Sequence, residues 1–139
     1  MTETEKKTYH VRIEIPYMSN VKYEYEDGEL VVDRILTTAM FYPGNYGYIE
    51  NTLSEDTDPI DVLVINDTQI LPMSSIECKI IGVLETSDES GNDPKIVALP
   101  CEKVDPKYDH IHDIGDVRPA QKETIRNFFE NYKKLEKGK

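Results

Sequence analysis

From Tyr9 onward, apolar and polar residues alternate. Tyr9, Val11, Ile13 and Ile15 fall on one side and His10, Arg12 and Glu14 on the other, the two-residue period of a strand with one buried face. Pro16 closes it, because proline has no N–H to give to a ladder. Val21, Tyr23 and Tyr25 repeat the alternation against Lys22, Glu24 and Glu26. Asp27-Gly28 then predicts a two-residue hairpin turn into a second strand over 30–36. The stretch from Phe41 to Thr52 is aromatic and rich in turn formers, and reads as a tightly packed loop. Apolar runs at 60–65, 76–84 and 96–99 predict three more strands, the last two joined by a turn over Asp88 to Pro94. Ile125, Phe128, Phe129, Tyr132 and Leu135 recur at helical spacing, with Pro119 at the start and Gly138 beyond the end. Five or six short strands, one substantial helix and no βαβ alternation predict an α+β fold that is mainly β: a small, mostly antiparallel barrel with helical cover.

A chain of 139 residues suits a single domain over 1–139, with a polar lead-in to about Thr8 that is expected to fray. Hydrophobic residues make up 38%, enough for a modest core. The formal net charge of −11 disfavours nucleic acid and anionic membranes as partners, since like charges repel unless the field is locally inverted. Bound divalent cations are one way to invert it. Cys78 and Cys101 have no second Cys or His at metal spacing and read as core thiols. The start lacks an apolar signal core, and no apolar run approaches the roughly 20 residues of a membrane helix. A cytoplasmic protein is expected.

Candidate chemistry concentrates in Asp56-Thr57-Asp58-Pro59-Ile60-Asp61, three carboxylates directly before the apolar run Val62-Leu63-Val64-Ile65. Pro59 biases Asp58 toward extended backbone, so that Asp56 and Asp58 project the same way. On composition alone a solvated turn explains the run equally well. A calcium loop does not, because the sixth-position Gly, the closing Glu and the flanking helices are missing. Asp88 and Asp93 sit in a turn where Asp is common. Lys22 and Arg34 lie on polar strand faces, where solvation or cross-strand pairing is the usual role. Tyr132 belongs to the helix's apolar stripe. His10, His110 and His112 accompany no Ser or Cys nucleophile motif. Converging carboxylates would need cations to stay ionised together, and hard oxygens select Mg²⁺ or Mn²⁺ over zinc.

Asp56-Thr57-Asp58-Pro59-Ile60-Asp61-Val62 resembles the signature of the family I soluble inorganic pyrophosphatases, Asp-x-Asp-Pro-x-Asp-Val. The likeness extends in order through Ile13-Glu14-Ile15-Pro16, Lys22-Tyr23-Glu24, Val32-Asp33-Arg34, Met40-Phe41-Tyr42-Pro43-x-Asn45-Tyr46-Gly47-Tyr48, the segment from Asp88 to Lys95, and Phe128-Phe129-Glu130-x-Tyr132-Lys133. It implies a twisted five-stranded antiparallel barrel of the oligonucleotide/oligosaccharide-binding type with covering helices, and three to four Mg²⁺ per site, with Mn²⁺ as a substitute. Asp56, Asp61, Asp88 and Asp93 would hold metal, Glu14 would reach it through water, and Asp58 would be the general base. Lys22, Arg34, Tyr46, Tyr132 and Lys133 would contact diphosphate, with Glu24, Tyr42 and Lys95 around them. The family's usual assembly makes a homohexamer the expected state. Bacterial relatives often carry His where this chain has Asn127 and Asn131, on the helix used for hexamer contacts.

The family usually continues a few dozen residues past the position of Lys139, through a Trp-bearing segment and a further helix. A short end of this kind leaves one alternative, a weakened or inactive barrel module that only binds. A nucleic-acid module would need a basic groove beside its aromatics, whereas here they sit beside acids. A phosphatase for larger phosphoesters would share the metal chemistry. The catalytic and metal-binding acids that a degenerate copy would have lost are all in place.

Overall fold

Alternation becomes structure most directly in β1 (Tyr9–Ile15), where Val11, Ile13 and Ile15 are buried. The computed structural model describes residues 7–50, 59–88 and 91–135, with Asp88 described by its backbone alone. The run Asp56 to Asp58 and Gly138 therefore lie outside the described residues. Thr8, at the end of the polar lead-in, donates from Oγ1 to Glu77 Oε2 at 2.6 Å.

The hairpin follows as expected: β2 (Val21–Glu26) and β3 (Glu29–Ile35) pair antiparallel. Asp27 and Gly28 turn between them with φ of 53° and 80°, the left-handed pair that a tight hairpin turn requires. The aromatic loop ends earlier than the composition suggests, because Asn45–Ile49 forms β4. Gly47 is what permits it: a Cβ there would lie 1.9 Å from the Arg12 carbonyl oxygen on β1. Turn-forming residues had masked a strand whose alternation, Tyr46 and Tyr48 against Gly47 and Ile49, is regular.

Then come β5 (Asp61–Val64), β6 (Ser75–Leu84), the short pair β7 (Ser87–Asp88) and β8 (Gly91–Asn92), and β9 (Lys95–Pro100). Five strands close a barrel in the order β1-β4-β5-β9-β6. Its pairings are antiparallel except for β5 with β9, which is parallel. The mostly antiparallel expectation holds, and the one exception has a topological reason: strand direction cannot alternate all the way round a ring of five.

Both faces of the wall are covered. Val11, Ile13, Val62, Val64 and Cys78 pack together as one buried cluster, while Leu63, Val97 and Leu99 join a second with Ile125, Phe128 and Phe129 of α1 (Pro119–Asn131). This explains the unbroken apolar run of β5, since a strand buried on both sides needs no polar face. Pro119 occupies the first turn, where its missing N–H costs nothing. The helix stops at Asn131 with Tyr132 as its C-cap, so Leu135, counted in the apolar stripe, is 73% exposed. Cys78 and Cys101 are buried free thiols, and burial pushes the Cys78 thiol up to about 12. No helix among the described residues is long and apolar enough to cross a membrane.

Candidate active site

Asn45, fully buried at the start of β4, ties the surroundings together. Its Oδ1 accepts from the Tyr17 and Ile70 N–H groups at 2.9 and 3.1 Å. Its Nδ2 donates to Asn66 Oδ1 and, at 2.9 Å, to the Thr68 carbonyl. With that corner fixed, Tyr46 points along the wall, and its Oη donates to Asp61 Oδ2 at 3.2 Å. Asp61 opens β5, with Tyr48 opposite it on β4.

The parallel seam adds a neighbour. Val62 sits beside Ile96 and Leu63 beside Val97, so the first residues of both strands, Asp61 and Lys95, come to the same end of the seam. Antiparallel pairing would have sent Lys95 to the far end. Lys95 Nζ stands 3.1 Å from Asp93 Oδ2 and 4.9 Å from the centre of the Phe129 ring. Phe129, read from its spacing as a core residue of the helix, also supports the ammonium from beneath by cation–π attraction.

Glu14 lies at a register shift in β1 between Ile13 and Ile15, the kind of bulge that re-aims a side chain. Burial, the largest effect, holds its carboxyl above the usual range. The Lys22 ammonium pulls it down, while the negative charges of Asp61, Glu24 and Asp33 add to the rise. Lys22 and Arg34 face each other across the hairpin, and Lys22 Nζ is 3.9 Å from Asp33 Oδ2. Glu24 is also raised, first by a hydrogen bond with Glu26 and then by Asp33.

Beneath these charges is an aromatic floor. Tyr42, 3% exposed, packs 5.2 Å from Tyr46, 4.5 Å from Phe128 and 5.8 Å from Tyr132 between ring centres. Burial raises the Tyr42 phenol far above its normal value, and the neighbouring Tyr132 hydroxyl adds to it. The Tyr46 phenol is raised for the same first reason, and by Asp61. Both are neutral donors at any physiological pH. Lys133 Nζ lies 5.6 Å from the Tyr132 ring centre, which brings the end of α1 to the same place.

Glu14, Lys22, Glu24, Arg34, Tyr42, Tyr46, Asp61, Asp93, Lys95, Tyr132 and Lys133 therefore gather between the β2–β3 hairpin and the end of α1. Asp88 joins only through its backbone in β7, and Asp56 and Asp58 are outside the described residues. Among the described residues no three His, Cys, Asp or Glu side chains are grouped closely enough to hold a metal ion. Yet the donors suit a hard divalent cation: all are carboxylates, and the half-buried Glu14 carboxyl feels the negative charge of Asp61, a repulsion that a cation would relieve. The three histidines are exposed.

The family model that matches is described as "Inorganic pyrophosphatase" and spans residues 11–139. The inorganic pyrophosphatase of Nanoarchaeum equitans is 59% identical over 127 residues, 91% of this chain and 79% of that protein. The Escherichia coli (strain K12) enzyme of the same name is 52% identical over 133 residues, 94% of this chain and 76% of that protein. The solved inorganic pyrophosphatase of Helicobacter pylori superposes with a TM-score of 0.84 at 42% identity, covering 98% of this chain and 84% of that one.

Proposed function

The chain belongs to the inorganic pyrophosphatase family, and we propose that it acts with Mg²⁺, using Asp58 as general base and Asp56, Asp61, Asp88 and Asp93 as metal ligands, with Glu14 reaching metal through water. It hydrolyses inorganic diphosphate to two phosphates. Three to four Mg²⁺ per site, with Mn²⁺ as a substitute, belong to the same proposal. Bound there, Mg²⁺ would offset the carboxylates, draw in the diphosphate oxygens and acidify the attacking water.

Asp58 takes the water proton as the water oxygen bonds to one phosphorus. The bridging P–O bond breaks, and its electron pair leaves with the second phosphate. Lys22, Arg34 and Lys133 supply fixed positive charge to the phosphoryl oxygens. Tyr46 and Tyr132 offer hydroxyl hydrogens; Tyr46, held neutral by burial, adds no negative charge of its own. Tyr42 backs both rings, Lys95 steadies Asp93, and Glu24 borders Lys22.

The observation that supports this most is the half-buried Glu14 carboxyl, raised by burial and by the negative charge of Asp61 and drawn down by Lys22, in a molecule whose net charge is −11. An arrangement that stacks negative charge where an anion is to bind makes chemical sense around a cation. The test is phosphate release from diphosphate with Mg²⁺, then with chelator, against a nucleoside triphosphate. Release from diphosphate that chelator abolishes is expected; release that survives chelation, or that favours the triphosphate, would sink it. A cytoplasmic homohexamer completes the proposal, and a light-scattering mass of a single chain would remove that part.

A further inference from the structure

Asp88 closes β7 and Asp93 follows β8, and among the described residues these two-residue strands pair only with each other. So short a ribbon cannot hold itself in water. Its base is closed by Thr86, 3% exposed, whose hydroxyl donates to the Asp93 carbonyl while its own carbonyl accepts the Asp93 N–H at 2.8 Å. Below that base the β6–β9 ladder ends with Leu84 opposite Lys95, and α1 adds two side-chain ties of its own. Arg126 Nε donates to the Glu85 carbonyl at 3.0 Å. One helical turn later, Glu130 Oε2 accepts from both the Ser87 N–H, at 3.3 Å, and the Ser87 hydroxyl, at 3.2 Å.

We propose that Arg126 and Glu130 are positioning residues that grip the chain on either side of Thr86 and so set Asp88 and Asp93 in register with the substrate contacts at the end of the same helix. Spaced four apart, they share one helix face and reach residues 85 and 87, which lie two apart on the approach to β7. Phe129 between them carries Lys95, which in turn meets Asp93. Two and three residues past Glu130 stand Tyr132 and Lys133. The helix thus works as a ruler between the acids for metal and the groups for phosphate. Glu130 suits the task because a carboxylate accepting two hydrogen bonds is a stronger anchor than a neutral acceptor.

The proposal rests on Asp88 and Asp93 holding Mg²⁺, and its test separates the two ideas. Mg²⁺ is titrated calorimetrically into the full chain without substrate, for wild type, Glu130→Ala and Glu130→Gln, and melting temperatures are recorded without metal. Loosening a residue that orients a metal ligand typically costs about 10–100-fold in affinity, so Glu130→Ala should bind Mg²⁺ about tenfold more weakly. The Mg²⁺ concentration for half-maximal diphosphate hydrolysis should rise in parallel, with the rate at saturating Mg²⁺ within about twofold of wild type. Glu130→Gln keeps the shape and one neutral acceptor; it should recover part of the affinity, and it serves as the test if the alanine variant fails to fold. Wild-type Mg²⁺ affinity in these variants, with only the melting temperature lowered, would reduce Glu130 to packing and overturn the proposal alone. No Mg²⁺ uptake by the wild type would overturn the metal assignment and the proposal with it.

Discussion

Gly47 sits where β1 and β4 approach most closely. A methyl group there would meet the Arg12 carbonyl oxygen at 1.9 Å and its carbon at 2.8 Å, backbone atoms that cannot step aside. Gly47→Ala is therefore expected to lose at least about 3 kcal/mol, read from urea denaturation; an unchanged midpoint would mean that the strands can part there. The roles proposed for the acids can be separated in the same way. Asp58→Asn should slow diphosphate hydrolysis by about 10²–10⁴-fold, the usual cost of losing a general base, while leaving Mg²⁺ binding near wild type. Asp61→Ala should instead raise the Mg²⁺ requirement, since a proposed ligand and the acceptor for Tyr46 disappear together. Equal effects of the two on rate and metal requirement would argue against distinct roles. At this scale much was legible in the sequence, because a motif names residue types at fixed spacing. Glu130 was not, although it stands inside a quoted motif: its partner Ser87 is 43 positions away, and no local pattern encodes that pairing.

Among the elements, those written in local chemistry match the sequence best. Asp27-Gly28 can hardly be anything but a hairpin turn, and Pro119 marks the start of α1. β4 was hidden because Pro43, Gly44 and Asn45 read as turn formers, whereas Asn45 is a buried hub and Gly47 a point of close approach. The parallel neighbour of β5 was illegible for another reason: periodicity tells which face is buried, never which strand lies alongside. Between β9 and α1 the chain is held by caps. In the 3₁₀ turn Ile114–Asp116, Asp113 accepts from the Gly115 N–H at 2.7 Å, and Asp116 accepts from the His112 N–H at 2.9 Å. Those backbone donors, His112 first and then Asp113, hold the Asp116 carboxyl below the usual carboxylate range. A lowered folded-state value means stability that is present at neutral pH and lost as acid protonates the folded carboxylate. Asp116→Asn should therefore be less stable than wild type at pH 7, with the gap closing below about pH 4. Denaturation midpoints at pH 7 and pH 3 measure it, and a gap that persists in acid would place the effect elsewhere.

Across the whole molecule, charge and architecture pull in opposite directions. A net charge of −11 repels anions in general, and the proposed site must overcome that locally, with Lys22 and Arg34 on the β2–β3 hairpin and Lys133 just past α1. The barrel is the frame against which α1 packs, while the β2–β3 hairpin forms a sheet of its own. A ring of five strands closes only when β1 meets β6, pairing Tyr9 with Cys78 and Arg12 with Ser75, and contacts between such distant segments form slowly because loop-closure entropy opposes them. The stretch β1-β4-β5-β9 that carries Glu14, Asp61 and Lys95 can pair before that junction forms, but as an open, unsupported sheet until β6 joins it to β1, whereas α1 can coil early and locally. Recovery of diphosphate hydrolysis after dilution from urea should consequently trail recovery of helical circular dichroism. Enzymatic turnover then becomes a clock for the last step of assembly, and any substitution at the β1–β6 closure, however remote from the phosphate, should delay its start.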